Sequence, residues 1–69
     1  MDVWVILVRQ KESLEFLSQE GLWVGSVVDA RRFGTTWEAR LACRTACLSG
    51  VEIIMRFRSP RYDIVIEVD

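Results

Sequence analysis

Residues 29–50 read DARRFGTTWEARLACRTACLSG, and this stretch holds the one convincing helix of the chain. Within it, Thr35-Thr36-Trp37-Glu38 has the form of a capping box. The Thr35 hydroxyl can accept the backbone N–H of Glu38, and the Glu38 carboxylate can reach back to the N–H of Thr35. The helix therefore starts here. Gly50 takes a positive φ at little cost, so the spacing predicts a stop near Leu48 or Ser49 and a helix of about 13 residues, roughly 20 Å long.

Steps of about 100° per residue from Trp37 put Leu41 and Leu48 beside it, and put Ala39, Ala42, Cys43 and Ala46 on the opposite side. Glu38 and Thr45 separate the two stripes along one edge, Arg40 and Arg44 along the other. A helix lying on a sheet needs only one apolar face, and this one has two.

Outward from the helix, residues 51–58 (VEIIMRFR) alternate, with Val51, Ile53, Met55 and Phe57 on one face. Ser59-Pro60 supplies a turn, proline being suited to the i+1 position of type I. Tyr62, Ile64, Ile66 and Val68 then alternate on a last strand. Keeping both inward sets on one face of an antiparallel hairpin requires facing residue numbers to sum to about 119, because a one-residue slip turns every side chain over. That register sets Phe57 opposite Tyr62, Met55 opposite Ile64, and Arg56 opposite Asp63 on the outer face. Glu52 and Glu67 then face each other as solvated edge charges.

On the other side of the helix, residues 3–8 (VWVILV) form a β-branched and aromatic run between Asp2 and Arg9-Gln10-Lys11-Glu12, hence a strand followed by a charged turn. The run is apolar on both faces. That suits a central strand, or one whose outer face is covered by the irregular segment that follows. Residues 14–17 (LEFL) pair back as a short second strand, and the competing reading is a helix capped by Ser13 and stopped by Gly21. Leu22-Trp23-Val24 is a further short extended piece, broken by Gly25-Ser26. Residues 27–33 hold one helical turn, with Phe33 as an apolar anchor before the cap. The simplest assembly is a single α+β domain over residues 1–69, a two-layer ββαββ arrangement with a mainly antiparallel sheet of three or four strands and one helix across it.

The inward set of Val51, Ile53, Met55, Phe57, Ile64 and Ile66 is bulky, so a helix approaches it closely only through small residues. The stripe of Ala39, Ala42, Cys43 and Ala46 is thus the one expected inside. Trp37, Leu41 and Leu48 then face outward, flanked by Arg40 and Arg44, as a partner-binding surface. The competing arrangement puts the large stripe in the core and the alanine stripe in water.

At 69 residues the chain buries only about 60% of its unfolded surface, so little stability is to spare for exposed apolar side chains. The net charge of −1 gives no global attraction to nucleic acid or membrane. Eight of the nine cations are arginine, a bias that coding composition explains more simply than a recognition role does. No apolar run is long enough to cross a bilayer and no signal peptide is visible, so a soluble, cytoplasmic protein is expected.

The middle of the chain carries Gly21 and Trp23, then Ala30, Phe33, Thr35, Glu38 and Ala39. This G-x-W followed by A-x-x-F-x-T-x-x-E-A resembles a pattern of short uncharacterised proteins encoded by phages and prophages, over roughly half of the chain. Trp37 stands where that pattern usually has a charged residue. The resemblance implies a phage or mobile-element accessory protein of the anti-defence, anti-CRISPR-like or host-takeover kind, acting in the host cytoplasm. Such a protein binds and inhibits or modulates a host protein complex. The resemblance carries over no catalytic residue.

The chemistry of the side chains agrees with a binding role. There is no histidine, so the general base of most nucleophilic and acid/base sites is missing. Cys43 and Cys47 have the i, i+4 spacing of a helical metal pair, yet no third or fourth Cys or His ligand exists. Both are therefore expected to be small apolar fillers between helix and sheet. The four glycines are scattered singly, so there is no phosphate loop. An enzyme, a cofactor and a metal are not expected. The expected partner is a host protein or a second copy of this chain. The alternative is a nucleic-acid-binding protein using Arg31, Arg32, Arg56, Arg58 and Arg61 as a basic stripe. Against it, Asp63 and Glu67 interleave on the neighbouring strand, and Phe57 and Tyr62 fall inward, where they cannot stack on bases.

Overall fold

A computed structural model describes residues 3–57 and 63–68. Strands β1 (Val3–Gln10), β2 (Phe16–Leu17) and β3 (Trp23–Val24) come first, followed by a 3-10 turn (Val27–Asp29). Helix α1 (Thr36–Thr45), β4 (Val51–Phe57) and β5 (Asp63–Glu67) complete the chain. The strands form one antiparallel sheet in the order β3-β2-β1-β4-β5. The α+β class and the single helix agree with the sequence reading, but the sheet has five strands rather than three or four. The additional strand is β3, the Trp23–Val24 pair, which aligns with Phe16 and Leu17. The β1–β2 hairpin also decides residues 14–17 in favour of strand over helix, with Leu14 at φ +61° in its turn.

The C-terminal hairpin has the register that the alternation requires: Met55 pairs with Ile64, Ile53 with Ile66, and Arg56 with Asp63. The expected pairing of Phe57 with Tyr62 lies outside the described residues, as do Arg58 and Arg61. Strand β1 continues through Arg9 and Gln10 instead of turning at Arg9. Arg9 stands opposite Glu52 on β4 and ion-pairs with it at 2.7 Å, which gives two charged side chains a reason to stay on the sheet. Glu52 faces Glu67 as expected, yet it is no solvated edge charge. It is buried, and Glu67 ion-pairs with Lys11.

Because β1 is central, its alternate side chains enter two cores. Ile6 and Val8 join Leu17, Phe33, Ala39, Cys43, Val51 and Ile53 under α1. Val5 and Leu7 join Phe16, Ala30 and Ile54 on the opposite face, where Val24 and Val27 from the irregular segment cover them. Both explanations of the doubly apolar run therefore hold. Full burial of Leu7, Val8, Ile53 and Ile54 stabilises the fold by about 1.5 to 3 kcal/mol for each side chain.

Residues after the 3-10 turn return to extended backbone. Arg31 N–H donates to the Leu17 carbonyl at 2.8 Å, and Phe33 N–H donates to the Ile6 carbonyl at 2.9 Å. The first of these bonds ties the segment to β2 and the second to the side of β1 that the two-residue β2 leaves open, and together they aim the chain at the start of α1.

Candidate partner-binding face

Helix α1 is held at both ends by hydrogen bonds that its sequence supplies. At the N-terminus, Thr35 Oγ1 accepts the Glu38 N–H at 3.1 Å. The Glu38 carboxylate accepts the Gly34 N–H at 3.0 Å, one residue earlier than the expected reach-back to Thr35. Gly34 suits this closure, since a Cβ there would meet Glu38 Oε2 at 3.1 Å.

The C-terminus corrects the expected boundary. The helix stops at Thr45, not near Leu48 or Ser49, and spans 10 residues. Cys47 adopts φ +54°, its N–H donates to the Arg44 carbonyl at 3.1 Å, and the Leu48 N–H donates to the Cys43 carbonyl at 2.9 Å. This pair of bonds is the Schellman motif, with a cysteine in the left-handed position where glycine is usual. The left-handed cap falls at Cys47, three residues before Gly50, because Leu48 folds back and packs against the core, the apolar contact that commonly accompanies this motif.

The helix lies over β1 and β4 through its small residues. Ala39 is 0% and Cys43 1% exposed, whereas Trp37 is 64% and Leu41 50% exposed. Of the small stripe, Ala39 and Cys43 are buried, Ala42 is half-buried and Ala46, at the C-cap, is exposed, while Trp37 and Leu41 of the large stripe face outward. The reason is steric, since Ala39 and Cys43 let the helix settle onto the bulky Ile6, Val8 and Ile53 at a distance that an indole would not permit. Arg40 and Arg44 are exposed on the same helix, one turn apart.

Four expected members take other places, the first being Ala46, expected inside but exposed at the C-cap. Leu48 leaves the outward stripe because it lies beyond the helix end and is half-buried. Cys47 is exposed rather than a filler at the helix–sheet contact, because it belongs to the turn and not to the inner face. Ile64, counted in the inward set, is on the helix side of the sheet but 49% exposed, since α1 sits over β1 and β4.

Beside the outward stripe runs a groove of about 620 Å³ between α1 and the β2–β3 hairpin, with Leu17, Ala42 and Leu48 in its lining and Leu41, Arg31 and Glu38 along it. Sequence reading missed the hairpin side of this groove, because nothing local in residues 17–21 signals that they will stand next to a helix that begins only at Thr36. Leu41 belongs to both the groove and the outward face, so the two surfaces are continuous.

The described arginines of the alternative stripe, Arg31, Arg32 and Arg56, are not gathered. Arg31 lies along the groove and stacks over Phe33 with 4.6 Å to the ring centroid; Arg32 follows it, exposed. Arg56 is on the other side of the sheet, donating to both Asp63 carboxylate oxygens at 3.2 and 3.1 Å and lying 5.9 Å from the Phe16 ring centroid. Among the described residues, no three His, Cys, Asp or Glu side chains come together as a cation site, and no helix is long and apolar enough to cross a membrane. Comparison with protein-family models, with curated proteins and with solved structures yields no significant match to this chain.

Proposed function

We propose that this chain is a non-enzymatic protein-binding module that docks the outward face of α1, centred on Trp37 and Leu41, onto an acidic surface of a partner protein. In the reading that the sequence resemblance suggests, it is a phage or mobile-element accessory protein, and the partner is a host complex that it inhibits or modulates. The observation that carries the proposal is Trp37. A rigid helix holds an indole 64% exposed next to a half-exposed leucine and two arginines, the residue types enriched at the energetic centres of interfaces. Leaving such side chains in water forgoes stabilisation that burial in a complex recovers.

Charge supports the choice of partner. Residues 31–45 contain four arginines and one glutamate, a net +3 in a chain whose total is −1, so the rest of the protein carries −4. The Glu38 carboxylate is occupied at the cap, while Arg40 and Arg44 enter no ion pair among the described residues. A second copy is a poor occupant, because two such helices placed face to face bring Arg40 and Arg44 against their own counterparts.

The test is affinity capture from host lysate with wild-type, Trp37→Ala and Arg40→Glu/Arg44→Glu proteins, with and without nuclease. Trp37→Ala is expected to melt near the wild-type temperature, since most of the side chain is already in water, and to weaken partner binding about 30-fold or more, as loss of an aromatic anchor does. The charge reversal is expected to weaken it as well. An unfolded Trp37→Ala protein, as for a core tryptophan worth about 3 to 5 kcal/mol, or unchanged capture by both variants, refutes the proposal. Capture that nuclease abolishes points to nucleic acid instead.

A further inference from the structure

The two edges of the sheet are built differently. One edge is β3, two residues long and followed at once by the 3-10 turn. The other is β5, five residues long and free of proline and glycine, with no strand on its outer side among the described residues. Its central side chains point to opposite faces: Ile64 pairs with Met55 on the helix side, Val65 with Ile54 on the other. They are 49% and 46% exposed. Edge strands are usually blunted by shortness, proline or charge in the middle of the strand. Here the charges, Asp63 and Glu67, stand at the two ends and are drawn inward by Arg56 and Lys11, which leaves the apolar middle and its outward backbone open.

We infer that β5 is a pairing edge that takes up one extended segment of a partner protein, apolar opposite residues 64–66 and cationic opposite Glu67. A second copy of β5 fits badly. In the two-fold antiparallel register that pairs Val65 with Val65 and Ile64 with Ile66, Asp63 falls opposite Glu67 at both ends, and like charges directly opposite destabilise a strand pair. Shifting by two residues in either direction sets Val65 against a carboxylate. Strand β3 is too short to serve from another copy. A cation at the end suits the edge because the Glu67 side chain is 62% exposed, with Lys11 on one of its oxygens. Main-chain hydrogen bonds then provide affinity, while alternate side chains provide selectivity. The surface is separate from the outward face of α1, so the two proposals stand or fall independently.

The probe is a blocked peptide with the order threonine, lysine, valine, isoleucine, valine, lysine, threonine, titrated into the full-length protein and followed by amide chemical shifts and hydrogen exchange. Saturable shifts and slowed exchange are expected at residues 63–67. At low salt the affinity is expected to be about fivefold above that of the same peptide with glutamates for lysines, the gap narrowing as salt rises. Glu67→Lys reverses the preference, and N-methylation of the three central residues of the peptide abolishes binding. Absence of saturation, shifts confined to α1, or binding that N-methylation leaves intact overturns the inference. So does a dimer of the free protein with exchange protection at β5, which makes a second copy the occupant.

Discussion

Cys47 holds a backbone conformation that its side chain does not favour, and replacing it by glycine is expected to stabilise the protein. At φ +54° an L-residue with a Cβ costs roughly 1 to 2 kcal/mol relative to glycine, which has no such clash. Against this, glycine adds freedom to the unfolded chain, a loss of about 0.5 to 1 kcal/mol. The thiol is exposed, so its removal sacrifices no packing. The main-chain bonds from Cys47 to Arg44 and from Leu48 to Cys43 remain available to glycine. The net gain is about 0.5 to 1 kcal/mol, which for a domain of this size raises Tm by about 2 to 8 °C. Thermal and urea unfolding followed by circular dichroism under reducing conditions read it directly. Two controls separate backbone strain from the loss of sulfur. Cys47→Ala keeps the strain and is expected within about 0.5 kcal/mol of wild type, and Cys47→Val, β-branched, is expected below it. A Cys47→Gly protein that melts lower than wild type, or a Cys47→Val protein that matches it, refutes the assignment of a left-handed cap at this position.

Cys43, 1% exposed where α1 meets the sheet, has no room to grow. Cys43→Leu is expected to destabilise by about 1 to 3 kcal/mol through overpacking, whereas Cys43→Ala keeps the fold, both read from urea midpoints. Arg9→Ala leaves the buried Glu52 carboxylate without its cation and is expected to cost about 2 to 3 kcal/mol, below the full penalty for a broken buried pair because Arg9 is itself partly exposed. The double replacement Arg9→Met/Glu52→Leu is expected to recover most of that loss, which a double-mutant cycle measures. Thr35→Ala removes the acceptor for the Glu38 N–H and is expected to cost about 1 kcal/mol, seen as faster amide exchange in the first turn of α1.

Features governed by neighbouring residues were legible in the sequence alone. The Thr35 cap depends on a side chain reaching a backbone group three residues away, and the register of β4 on β5 follows from a period of two that tolerates no slip. Each is a short-range constraint with few solutions, and both stand in the fold. The sequence also exposed the two-faced character of α1, because helical geometry alone places Trp37 and Leu41 opposite Ala39 and Cys43. It favoured the small stripe as the buried one on steric grounds, with the reverse arrangement as the competitor, since both stripes are apolar. Only the tertiary structure decided between the two, through the thickness of the layer: the bulky residues of β1 and β4 accept a helix at close range only on its small side. Long-range contact also settled the points where local rules misled. Gly50 offered the cheaper left-handed stop, but packing of Leu48 against the core ends the helix at Thr45 and leaves Cys47 with the strained backbone. A burial partner far along the chain outweighs a local preference of about 1 kcal/mol, and a local pattern carries no record of that partner.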